Sequence, residues 1–145
     1  MGIYVPDASV ILKWAIGLET ESYQEKAIHI LDAWVNNKIE IVLPELWVFD
    51  VGNFLGRMVQ DLALEKMETL LDFHFKTSKL DKVTCKLIFK LMNDLSVSFY
   101  DASYHALAQK MGGIFITADK KYYQKAKSKG GIELLENIMV HADDS

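Results

Sequence analysis

The stretch SFYDASYHALAQKMGGIFITADKKYY, residues 98–123, holds a helix, its stop and a strand in direct succession. Ser98 and Asp101 have capping-box spacing, which satisfies backbone N–H groups at a helix start. From Phe99 the pattern carries Tyr100, Tyr104, Leu107, Ala108 and Met111 on one side, and Gly112-Gly113 ends it. Ile114 to Thr117 is a compact apolar run of strand character. Asp119 stands just past it, before a lysine-rich helix. A helix feeding a short strand, and that strand feeding another helix, is the unit of an α/β layer fold. Whether Asp101 and Asp119 belong together is the functional question this stretch raises.

The same alternation extends outward. Ile3-Tyr4-Val5 is a strand stopped by Pro6-Asp7, and residues 8–16 form a helix closed by Gly17. A second helix starts near Ser22, where Ser22 and Glu25 have capping-box spacing, and buries Tyr23, Ala27, Ile30, Leu31 and Trp34. Residues 39–43 form a strand. Pro44 suits the first position of the next helix, which buries Trp47, Val51, Phe54, Leu55 and Met58. Helical stretches follow at 62–75 and 83–95, with 76–80 either a loop or a short edge strand, and a last strand covers Ile132 to Leu135. This order predicts a three-layer α/β fold with a mostly parallel central sheet flanked by helices. No internal repeat or linker interrupts it, so residues 1–145 are expected to form one domain.

With 50% apolar and 25% charged residues, the composition is that of a globular protein. The single Cys85 excludes an internal disulfide framework and sets the cytoplasm as the expected compartment. No segment resembles a signal peptide, and no uncharged run approaches the ~20 residues that cross a bilayer, so a soluble protein is expected. A net charge of −4 argues against a protein that coats nucleic acid by bulk electrostatics, though not against an enzyme that handles it locally.

In an open parallel sheet, ligands bind beyond the carboxyl ends of the strands. Asp7 follows the first strand, Asp119 the fourth, and Asp101 opens a helix that reaches the same edge. On the helix after Pro44, Asp50 borders the buried face, one turn from Asn53. Two unit charges ~5 Å apart repel by roughly 3 kcal/mol at an effective dielectric of ~20. Acids gathered there would either stay protonated or share a divalent cation, and an oxygen-only donor set favours Mg²⁺ or Mn²⁺. Each acid also has an ordinary explanation. Asp7, Asp101 and Asp119 fit helix caps, and Asp50 fits a pair with Arg57. The residues alone leave both accounts open.

The lysines at 120, 121, 125, 127 and 129, with Tyr122 and Tyr123 among them, suit either phosphate and base contacts or a solvated helix face over two core tyrosines. His29, His74, His105 and His141 lack metal-ligand spacing, and His105 is expected at the surface. Cys85 is expected to be buried, and the three tryptophans to pack in the core or an interface.

In four blocks the chain resembles the PIN-domain family, especially the compact VapC-type toxin ribonucleases. VPDASVILKW carries Asp7 and Ser9, and LPELWVFDVGNFL carries Asp50 and Asn53. FYDASYHALAQKMGG carries Asp101, and IFITADKKYY carries Thr117 and Asp119. The correspondence spans nearly the whole chain, and between the second and third blocks it is one of helical character only. The family usually has Glu in a pattern like E-V-x-N where this chain has Asp50-Val51-Gly52-Asn53, so the second acid is shorter by one methylene. The resemblance implies an endoribonuclease in which Asp7, Asp50, Asp101 and Asp119 hold Mg²⁺ or Mn²⁺. It implies that Ser9, Asn53 and Thr117 orient ligands from behind, with Lys120 and Lys121 as tentative substrate contacts. It further implies a small antitoxin partner and a homodimer, with Tyr23, Trp34 and Trp47 on the interface helices. The alternative is a weak or inactive PIN-like module that binds RNA or a protein.

Overall fold

The computed structural model describes residues 1–16 and 23–139. Five strands, β1 (Gly2–Pro6), β2 (Ile39–Pro44), β3 (Lys76–Ser78), β4 (Ile114–Thr117) and β5 (Ile132–Leu134), form one sheet in the order β3-β2-β1-β4-β5. Every pairing is parallel. Among the described residues seven α-helices lie in the connections: α1 (Ala8–Ile16), α2 (Gln24–Val35), α3 (Trp47–Met58), α4 (Ala63–Leu71), α5 (Lys82–Leu95), α6 (Phe99–Met111) and α7 (Lys120–Ala126). The chain first steps from β1 through β2 to β3, then returns past β1 to β4 and β5. Right-handed crossovers therefore put α1 to α4 on one face and α5 to α7 on the other. The three-layer expectation holds, and residues 76–78 are the short edge strand.

Burial on both faces explains why the strands are apolar without alternation, as in Ile41-Val42-Leu43 and Phe115-Ile116. An aromatic cluster locks α1 and α2 onto the sheet side of α3. The Phe75 ring lies 4.8 Å from Trp34, 5.5 Å from Trp14, 5.4 Å from Phe73 and 6.0 Å from Trp47. Trp47, 3% exposed, is a core residue rather than an interface one. Trp34 is packed against the same cluster.

Several local expectations change. Pro44 does not begin a helix: it ends β2 opposite Ser78, and Glu45 N–H continues the ladder by donating to the Ser78 carbonyl at 3.0 Å. Phe54 and Met58 are exposed, because α3 is covered only along Trp47, Val51 and Leu55. Tyr23 precedes α2 with a positive φ of 63°, and its hydroxyl donates to Glu136 at 2.7 Å, so it is not part of a buried stripe. Cys85 is half-buried. Gly17, Ser22 and His141 lie outside the described residues.

Gly113, between α6 and β4, abuts the central strand. A Cβ there would stand 2.7 Å from the Ile3 carbonyl oxygen. Gly113→Ala must push β4 away from β1 and is expected to cost about 1–3 kcal/mol in a denaturant titration.

Candidate active site

The switch point of the sheet lies between β1 and β4, where successive connections depart in opposite directions and the carboxyl edge opens. Asp7 stands there at the end of β1. Its N–H donates to the Ile116 carbonyl of β4 at 3.0 Å, which keeps it in the sheet, while its carboxylate turns to cap α1. Oδ1 accepts from Ser9 N–H at 3.0 Å, Val10 N–H at 3.3 Å and Ser9 Oγ at 2.5 Å. Oδ2 accepts from Thr117 Oγ1 at 2.5 Å. Each hydroxyl is itself aimed by a backbone donor. Ala118 N–H donates to Ser9 Oγ at 2.9 Å, and Asp119 N–H donates to Thr117 Oγ1 at 3.0 Å. A hydroxyl has one hydrogen, so both must direct it at Asp7. Ser9 and Thr117 thus each hold one oxygen of the Asp7 carboxylate.

Asp119 caps α7, accepting from Lys121 N–H at 2.9 Å and Tyr122 N–H at 3.1 Å. Ser98 caps α6 by accepting from Asp101 N–H at 3.1 Å, which puts Asp101 in the first turn facing the same edge. Asp50 reaches the rim from α3, where its Oδ2 accepts from the Tyr104 hydroxyl at 2.9 Å. Tyr104 is buried one turn below Asp101, and no sequence pattern announced its role. Asn53 is exposed on α3 one turn beyond Asp50. Lys120 and Lys121 are exposed at the start of α7, with Lys120 Nζ 3.6 Å from Glu136.

The electrostatics tie these acids together. Burial pushes the Asp7 carboxyl up to about 7, despite hydrogen bonds from Ser9, Thr117 and Val10, and the Asp101 charge adds to the rise. Burial raises Asp101 too, and the charges of Asp119 and Asp50 add to it while the Ser98 hydroxyl and Lys125 oppose it. Burial likewise raises Asp50, with the Tyr104 hydroxyl opposing. Asp101 is therefore the centre of the set, coupled to each of the other three.

The ion pairs among the described residues join Lys90 and Lys129 to Asp94, Lys110 to Asp81 and Lys120 to Glu136, and none reaches the rim acids. Three carboxylates with raised affinity for protons, Asp7, Asp50 and Asp101, beside the Asp119 carboxylate, make an all-oxygen donor set of the kind a hard divalent cation prefers. Among the described residues no three His, Cys, Asp or Glu side chains are grouped so that they could hold a metal ion as they stand. An ion here would keep much of its water, as Mg²⁺ does by preference.

An acidic rim at the switch point of an all-parallel sheet is the plan of an α/β protein whose chemistry sits at strand ends. The chain belongs to the PIN domain family, whose model matches residues 4–128. It is similar to ribonuclease VapC3 of Pyrobaculum aerophilum, at 31% identity over 83% of this chain and 92% of that one. It is also similar to exonuclease VapC9 of the same organism, at 26% identity over 75% and 82%. The fold matches the crystal structure of PAE2754 from Pyrobaculum aerophilum with a TM-score of 0.64 and 22% identity, over 93% of this chain and 90% of that one. It also matches a toxin-antitoxin complex from Klebsiella pneumoniae with a TM-score of 0.64 and 14% identity, over 95% and 100%.

Proposed function

We propose that the protein is a Mg²⁺- or Mn²⁺-dependent endoribonuclease and the toxin of a cytoplasmic toxin-antitoxin pair. The observation that carries this reading is the Asp7 carboxylate, fixed at both oxygens and coupled through Asp101 to Asp50 and Asp119. The names of the similar proteins, exonuclease VapC9 and ribonuclease VapC3, support a nuclease, and the second supports RNA as its substrate. The toxin-antitoxin complex of like fold supports an antitoxin partner; in this reading the antitoxin is small and covers the rim, and the protein is a homodimer. No helix among the described residues is long and apolar enough to cross a membrane.

In this reading Asp7, Asp50, Asp101 and Asp119 hold the ion. When bound, it acidifies the attacking water and neutralises charge on the departing oxygen of the phosphodiester. Ser9 and Thr117 keep Asp7 from rotating, so its remaining lone pairs face the rim. Tyr104 does the same for Asp50; burial and the neighbouring acids hold its phenol far above the ordinary range, so it stays a donor. Lys121 and Lys120 receive the RNA backbone. The Lys120–Glu136 pair is exposed and weak enough to yield to a phosphate.

A second reading, an inactive module that binds RNA or protein, is favoured by the absence of a group that could hold a metal ion as it stands among the described residues and by Asp50 in the place of Glu. One titration separates the two. Cleavage of a structured RNA that appears with added Mg²⁺ or Mn²⁺ and stops with EDTA supports the nuclease. Cleavage indifferent to EDTA, or none at millimolar metal, rejects it.

A further inference from the structure

His105 was expected at the surface, yet it is 0% exposed and both ring nitrogens are engaged. Nε2 lies 3.0 Å from the Gly130 carbonyl and Nδ1 lies 3.0 Å from the Tyr122 hydroxyl. A carbonyl only accepts, so Nε2 carries the proton, Nδ1 is bare and Tyr122 must donate to it. The imidazole stacks on Phe115 of β4 with ring centres 5.3 Å apart, and Tyr122 meets both rings edge-on, at 5.9 Å from His105 and 5.4 Å from Phe115. Burial pushes the imidazole down and the phenol up, so neither group ionises near neutrality.

The placement of this pair gives it a consequence. His105 lies one turn after Asp101 on the same face of α6. Tyr122 lies in the first turn of α7, and its N–H is one of the two that fix the Asp119 carboxylate. Helix α7 has only seven residues, so it has little packing of its own to hold its start in place. The His105–Tyr122 hydrogen bond is a direct side-chain tie between the helix that bears Asp101 and the helix capped by Asp119.

We infer that His105 is a positioning residue of the acidic rim: through the Tyr122 hydroxyl it sets where Asp119 stands relative to Asp101. The inference rests on the metal-binding reading above. Its removal lets the first turn of α7, and the carboxylate that caps it, drift from a spacing that a shared cation requires.

The test is Mn²⁺ affinity by calorimetry, at a temperature where circular dichroism shows every variant folded. Tyr122→Phe deletes one oxygen and keeps the ring packing, and His105→Leu deletes both hydrogen bonds. Each is expected to weaken Mn²⁺ binding by about 10–100-fold, the range for partners that orient metal ligands. His105→Asn, whose carboxamide oxygen can take the place of Nδ1, should return affinity to within a few-fold of the parent. If the parent binds and Tyr122→Phe binds equally well, the positioning role is wrong while the metal reading stands. It is equally wrong if His105→Asn loses as much as His105→Leu. A parent that takes up no Mn²⁺ overturns the metal reading and this inference together.

Discussion

Asp7→Asn is expected to remove metal-dependent RNA cleavage, by at least about 100-fold, while making the metal-free protein more stable above pH 7. The loss follows from position: Asp7 is the most rigidly held of the rim acids, and even partners behind a ligand are worth 10–100-fold. The gain follows from linkage. Its carboxyl is raised from 3.8 to about 7 in the folded state. A group raised in this way stabilises the fold fully below the unfolded value and ceases to as pH climbs through the folded one. The difference between pH 4 and pH 8 is at most about 4 kcal/mol. Asparagine avoids that loss, but its amide donates where a carboxylate accepts, so one of the Ser9 and Thr117 hydrogens loses its acceptor at about 1–3 kcal/mol. A net gain of roughly 1–3 kcal/mol at pH 8 remains. Urea titrations in EDTA from pH 5 to pH 8 check this. The parent should weaken as pH rises while the variant stays flatter, and saturating Mn²⁺ should reverse their order. A variant that follows the parent across that range would show that burial does not raise the Asp7 carboxyl.

Phe75→Ala is expected to cost about 3–5 kcal/mol, lowering the melting temperature by on the order of 10–15 °C. Phe75 is 7% exposed and touches four other aromatic rings, so truncation opens a cavity among rigid planar groups that cannot close it. Against a total stability of about 5–15 kcal/mol this is a large share. Phe49→Ala is the control. Its ring is 70% exposed, and its loss should move stability by less than about 0.5 kcal/mol. Equal effects in the two variants would mean that the aromatic cluster is not the anchor of this face.

What was legible in the sequence was mostly local. Asp7 and Asp119 were placed by the strands before them and the helices after them, and both cap those helices. Ser98 and Gly112 marked the ends of α6 for the same reason, since capping uses neighbours within a few residues. Asp50 was placed by helix periodicity at the border of the buried face and by register within a family motif, but not its anchor Tyr104, which lies 54 residues away. His105 was misplaced because α6 is buried from Ala102 through Ala108 on every side. A helix covered all round has no polar face for periodicity to find. The alanines at 102, 106 and 108, small enough for neighbours to approach closely, were the available clue. Pro44 was misassigned because a missing N–H is tolerated at a helix start and equally at a strand end, and only the pairing with Ser78 decides.

The central strand β1 is the first to be synthesised, but its neighbour β4 pairs with it through Tyr4 and Ile114, Val5 and Phe115, and Pro6 and Ile116. The Asp7–Thr117 hydrogen bond spans 110 residues. A nascent chain leaving the ribosome, at about 5–20 residues per second, therefore carries Asp7 for several seconds before Asp101, Thr117 and Asp119 exist. During that interval the half-made polypeptide has no complete acidic rim. The delay is written into the strand order itself.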